Sequence, residues 1–94
     1  MAKMETKLKF DLINNQKTFK TSDFWIGGAL IAKGHPLISL QWVGKKAFFV
    51  FDNPSSCEAI MEAFYRDDLH VRAQKYSLSL RALKDQIFNS KNTF

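Results

Sequence analysis

Residues 7–12, Lys-Leu-Lys-Phe-Asp-Leu, alternate polar and apolar with period two. That is the pattern of a half-buried strand with Leu8, Phe10 and Leu12 turned inward. Asn14-Asn15-Gln16 follows as a turn signal, and residues 17–20, Lys-Thr-Phe-Lys, suit a short second strand. Thr21-Ser22-Asp23 then predicts a helix start, with Thr21 or Ser22 as cap and Asp23 in the first turn, at the positive end of the macrodipole. The helix is expected to end near Ala32, because Gly34 suits the C′ position and Pro36 forbids continuation. It has almost no polar face, so it should be buried on most sides, and Trp25 and Trp42 are expected in the core. Gly27-Gly28 inside it costs about 1 kcal/mol per glycine in helix propensity. Close backbone approach to a sheet or another helix would offset that cost.

Two strand-like runs flank Gly44-Lys45, and a glycine at the first central position fits a type II′ hairpin turn. The turn sets the register: Val43 opposite Lys46, Trp42 opposite Ala47, Gln41 opposite Phe48, Leu40 opposite Phe49, Ser39 opposite Val50 and Ile38 opposite Phe51. Ile38, Leu40, Trp42, Ala47, Phe49 and Phe51 then form an apolar core face. Ser39, Gln41, Val43, Lys46, Phe48 and Val50 form a mixed outer face.

Asn53-Pro54 reads as cap and N1 of a further helix, and Ser55-Ser56-Cys57-Glu58 fits a capping box. Cys57, Ile60, Met61 and Phe64 share one face, while Glu62 and Arg66 make an i,i+4 pair on the other. Arg66-Asp67-Asp68 ends this helix, and Leu69-His70-Val71 reads as an extended connector or brief edge strand. A last helix from about Arg72 to Asn89 carries Ala73, Tyr76, Leu80, Leu83 and Ile87 on a heptad-like seam, expected to pack on the sheet or the preceding helix. These elements predict an α+β fold in the order β-(β)-α-β-β-α-α. It has one antiparallel sheet of three or four strands and helices mainly on one face.

The 94 residues fit a single domain, with frayed ends expected at 1–5 and 90–94. With 46% apolar and 24% charged residues the composition is globular, and disordered and collagen-like classes are excluded. One cysteine and two histidines exclude an internal disulfide and the familiar zinc spacings. Residues 1–7 lack the apolar stretch of a secretory signal, and the longest near-apolar run, 24–32, is far short of the about 20 residues of a membrane span. A cytoplasmic location with reduced Cys57 is expected, without membrane partners.

Net charge is +5, distributed as +3 over residues 1–20, +2 over 21–51, −4 over 52–68 and +4 over 69–94. A basic balance favours a polyanionic partner, although +5 also serves solubility alone.

Phe19-x-Thr21-x-Asp23, the apolar helix closed by Gly34, and the run from Gly44-Lys45 through Phe48 to Phe51 together resemble a small bacterial and phage family of unknown function. Tyr65-Arg66 and Leu80-x-x-Leu83-Lys84 complete the likeness, which spans about residues 17–88. The resemblance implies a compact α+β module and no catalytic residues. The strand at 7–13 lies outside the pattern.

Catalytic chemistry has little footing. Cys57 falls on an apolar stripe and reads as structural, and His35 beside Pro36 reads as a turn histidine. Glu58 is explained by capping and Glu62 by Arg66, so no metal site or cofactor is expected. No phosphate-loop, dinucleotide, zinc-protease or nucleophile-elbow motif occurs. A non-catalytic binding module is the expectation, with single- or double-stranded nucleic acid as the favoured partner. Lys7, Lys9, Gln41, Lys45, Lys46 and Phe48 would form an aromatic and basic sheet face on which a base stacks and phosphates meet lysines. The alternative surface is the last helix, through Arg72, Lys75 and Lys84. The competing reading is a protein–protein adaptor or a homodimer joined through that sheet face, an accessory protein of a phage or mobile element.

Overall fold

The computed structural model describes residues 18–91. The strand expected over 7–12 and the turn at 14–16 lie outside the described residues, as do Lys7 and Lys9. The described chain runs β1 (Thr18–Thr21), α1 (Phe24–Ala32), β2 (Leu37–Val43), β3 (Lys46–Asp52), α2 (Pro54–Tyr65) and α3 (Ala73–Lys91). The strands form one antiparallel sheet in the order β1-β3-β2. This is the expected α+β order.

Gly44 has φ +63°, and Lys45 is not among the residues with positive φ, which is the II′ pattern. From that turn Val43 pairs with Lys46, Trp42 with Ala47, Gln41 with Phe48, Leu40 with Phe49 and Ser39 with Val50, as predicted. The register then slips: Leu37, not Ile38, stands opposite Phe51. Leu37 and Leu40 both pack against the core. They are an odd number of positions apart, and strict alternation would put them on opposite faces. A bulge resolves the conflict and leaves Ile38 52% exposed rather than inward.

Phe49 and Phe51 are fully buried and join Phe19 of β1, Ile26 and Leu30 of α1, Cys57 of α2 and Leu83 of α3 in one cluster. All three helices therefore contribute to the inner face of the sheet. Burial of each large side chain contributes about 1.5–3 kcal/mol. The seam of α3 packs chiefly on α1, with Leu83 reaching through to Phe49 beside Gly27. Ala73, the first seam residue, stays exposed.

Several local expectations change. Asp23 itself caps α1, its Oδ1 accepting from the N–H groups of Trp25 and Ile26, while the Thr21 hydroxyl accepts from the Asp23 N–H. The helix thus starts at Phe24, and Trp25 in its first turn is 55% exposed rather than in the core. Asn53 occupies the cap position of α2 in a left-handed conformation, φ 58°, but its side chain caps nothing. Ser56 instead lies 2.9 Å from His35 Nε2, which is half-buried there. Arg66 pairs with Asp68 at 3.4 Å, not with Glu62. The last helix continues to Lys91, and Ser90 accepts a 2.8 Å hydrogen bond from the Trp42 indole, so 90–91 are part of the fold.

Two helices end in the same way. At α1, Gly34 N–H bonds to Ile31 O and His35 N–H to Leu30 O, and Gly34 has φ +102°. At α2, Asp67 N–H bonds to Phe64 O and Asp68 N–H to Ala63 O, with Asp67 at φ 62°. Both are Schellman closures.

The expected close approach is real. A Cβ at Gly27 would lie 2.8 Å from Leu83 Cδ2 and 3.2 Å from Phe49 Cδ2. Both neighbours are fully buried, so a methyl here must displace packed side chains. Gly27→Ala gains about 1 kcal/mol in helix propensity and loses about 1–3 kcal/mol to overpacking. A lower urea midpoint at unchanged m-value is the expected outcome. A higher midpoint would show that the α1–sheet contact is looser than described.

Candidate nucleic-acid interface

The outer face of the sheet carries Lys46, Phe48, Val50 and Asp52 on β3, beside Ser39, Gln41 and Val43 on β2 and Thr18 and Lys20 on β1. Lys20, Gln41, Lys45 and Lys46 are exposed. Phe48 is half-buried, and Lys46 Nζ sits 5.9 Å from its ring centroid, a cation–π approach. Val50 beside it is only 4% exposed. The expected stacking ring is therefore flanked by a buried valine and approached by a lysine of its own strand.

The second predicted surface divides. Lys84 lies nine residues beyond Lys75, about two and a half helical turns, and so projects from the opposite side of α3. Arg72 and Lys75 remain together. With Ala32, Lys33, His70 and Val71 they line a cleft of about 480 Å³ between the end of α1 and the start of α3. Lys33 Nζ donates to His70 O at 3.2 Å, which ties the two walls. The first turn of α3, opened by the bond from Tyr76 N–H to Arg72 O, points its positive dipole end to the same place. No acidic residue lines this cleft. Among the described residues the one ion pair is Arg66 with Asp68, both solvent-exposed, so none of these cations is paired with an acid among those residues.

Sequence reasoning missed Lys33 and His70. Only the spacing of Arg72 and Lys75 signalled the site, since Lys33 reaches it through the packing of α1 on α3. Beyond the cleft lies a smaller cavity of about 270 Å³, lined by Ala29, Phe64, Asp67, Leu69, Val71 and Tyr76. Trp25 lies beside it, because the Tyr76 hydroxyl donates to Trp25 O at 3.0 Å. The Tyr65 hydroxyl donates to Asp23 Oδ2 at 3.2 Å. Both phenols are held by the start of α1.

Cys57 is buried, its thiol donating to Asp52 O at 3.2 Å. Burial, then the charges of Asp52 and Glu58, push the thiol above its ordinary pKa, the opposite of an activated nucleophile. Among the described residues no group of three or more His, Cys, Asp or Glu stands together as metal ligands would, and no helix is long and apolar enough to cross a membrane. Comparison with known protein families, characterised proteins and solved structures finds no match to this chain.

Burial, then the Asp23 charge, raises the Tyr76 phenol above its ordinary pKa. The folded state then holds this proton to higher pH than the unfolded chain, whose tyrosines titrate near about 10. Its contribution is present below that value and is lost as pH rises through the folded pKa. Chemical denaturation across this range should show stability falling from about pH 10, with a shallower fall in Tyr76→Phe. Equal slopes in both proteins would remove Tyr76 from the account.

Proposed function

We propose that the protein is a non-catalytic module that binds nucleic acid through the basic cleft between α1 and α3. The observation that carries this reading is the convergence of Lys33, His70, Arg72 and Lys75 on one concavity with no acid in its lining. Phosphate recognition needs fixed cations and backbone N–H donors rather than a reactive group. Arg72 can fork to two phosphate oxygens, while Lys33 and Lys75 act as point charges. The sheet face offers cations too, but its one aromatic is half-buried, and stacking needs an open ring.

A protein-binding or homo-oligomeric role is the second reading, favoured by one feature. β2, an edge strand among the described residues, carries no charged residue, and Ile38 is exposed next to a groove between β2 and α3. Uncharged edges invite pairing. A molecular mass in solution equal to one chain at tens of micromolar would leave only a heteromeric form of this reading.

Charge reversal separates the two basic surfaces. Lys33→Glu with Lys75→Glu should weaken binding to mixed-sequence oligonucleotides, and each lost phosphate contact should flatten the log–log salt dependence by somewhat under about one unit. Lys45→Glu with Lys46→Glu should have a much smaller effect. If the sheet pair abolishes binding and the cleft pair does not, the interface is the sheet. If no oligonucleotide binds at low salt, the positive charge serves solubility and the reading is wrong.

A further inference from the structure

The cleft and the smaller cavity are two parts of one concave surface. Val71 lines both. Each flanking element supplies residues to both. On α1, Ala29 lines the cavity, and Ala32 and Lys33 the cleft. At the start of α3, Tyr76 lines the cavity, and Lys75 and the preceding Arg72 line the cleft. Along α1 the two sets are three to four residues apart, about one turn or roughly 5 Å. The connector divides in the same sense, with Asp67 and Leu69 in the cavity and His70 and Arg72 in the cleft.

The two parts differ in chemistry. The cleft is cationic. The cavity is aromatic and apolar, through Phe64, Tyr76, Leu69 and Val71, with one carboxylate, Asp67. Tyr76 is fixed by its hydrogen bond to Trp25 O. Asp68 is paired with Arg66, whereas Asp67 has no ion-pair partner among the described residues. Asp67 also holds the left-handed position that closes α2. At the equivalent place in α1 the chain has Gly34, which any backbone of this kind accepts. At α2 the same turn places a carboxylate-bearing residue in the cavity lining instead.

We infer that this surface is a nucleotide site, with the base in the Phe64–Tyr76 cavity and its phosphate in the Lys33–Arg72–Lys75 cleft. The ligand class is a nucleotide whose base carries an exocyclic amine. The amine donates to Asp67, the planar base lies against the aromatic walls, and the phosphate meets the three cations. A ligand anionic at one end and amine-bearing at the other is matched by a surface cationic at one end and carboxylate-bearing at the other. A base and its own phosphate are joined at about this offset, whether in a free nucleotide or in a single strand. The inference rests on the nucleic-acid reading for its strand form, and adds base selection to it.

The test uses the full chain at low salt, with AMP, UMP, short oligodeoxyadenylate and short oligodeoxythymidylate as probes, followed by NMR shifts and titration calorimetry. The expected result is that adenine probes bind about threefold to tenfold tighter than the uracil or thymine probe, the range set by one charge-assisted hydrogen bond at a solvent-accessible site. Asp67→Asn, which tolerates the left-handed backbone and keeps an acceptor oxygen without the charge, should reduce that preference and leave the salt slope unchanged. Lys75→Glu should weaken all probes alike. AMP binding that shifts Tyr76 and Lys75 signals assigns the site to free nucleotides. The same shifts with the oligomer alone assign it to a strand. Adenine and thymine probes that bind equally, with Asp67→Asn indistinguishable from the parent and Lys75→Glu still weakened, overturn base selection and leave the nucleic-acid reading standing. If no probe binds, both fall. Thermal midpoints of the variants within a few degrees of the parent exclude unfolding as the cause.

Discussion

The backbone of α1 at Gly27 and Gly28 lies against side chains of both neighbours, Phe49 of the sheet and Leu83, Leu80 and Tyr76 of α3. No side chain of α1 separates them at that point, so the three layers stack at the closest spacing the backbone allows. Much of the helical layer is set there. With α3 seated on the glycine pair, its first turn falls beside Ala32 and Lys33, and the cleft opens where the two helices diverge. A longer side chain at either glycine would push α3 outward, and the cations of α1 and α3 would no longer share one concavity.

Charge is organised around the same place. Residues 52–68 hold a net −4 and residues 69–94 a net +4, so the sign reverses along the connector between α2 and α3. Asp67 and Asp68 stand on one side of the reversal, His70 and Arg72 on the other. A surface with opposite charges this close does not act as a uniform polyanion magnet.

The register of the hairpin was legible because one glycine with positive φ dictates it, and five of the six predicted cross-strand pairs follow from Gly44. The sixth failed because Leu37 and Leu40 compete for the same face, a conflict settled by packing rather than by pattern. The glycine pair was legible as a close contact because two glycines inside an apolar helix have few other uses. Trp25 was misread because its fate depends on whether Thr21, Ser22 or Asp23 caps the helix, and three adjacent cap-competent residues look alike in sequence. The candidate site was legible only in part. Arg72 and Lys75 share a helix, so spacing brings them together. Lys33 comes from a different element and joins them only through tertiary packing. Lys84 looked like a neighbour because a charge count ignores which side of a helix a residue occupies.

The sheet order also has a temporal meaning. β2 and β3 are joined by two residues, so their pairing needs almost no loop closure and can form within microseconds. β1 pairs with the other edge of β3, Thr21 against Phe49, across a loop that contains α1 and β2. That pairing is non-local and is worth little until α1 covers Phe49 and Phe51. The hairpin is thus the natural early unit, and β1 docks together with α1 in a later, slower step. The concave surface between α1 and α3 exists only once that step is complete, so the walls of the cleft and the final packing event arrive together.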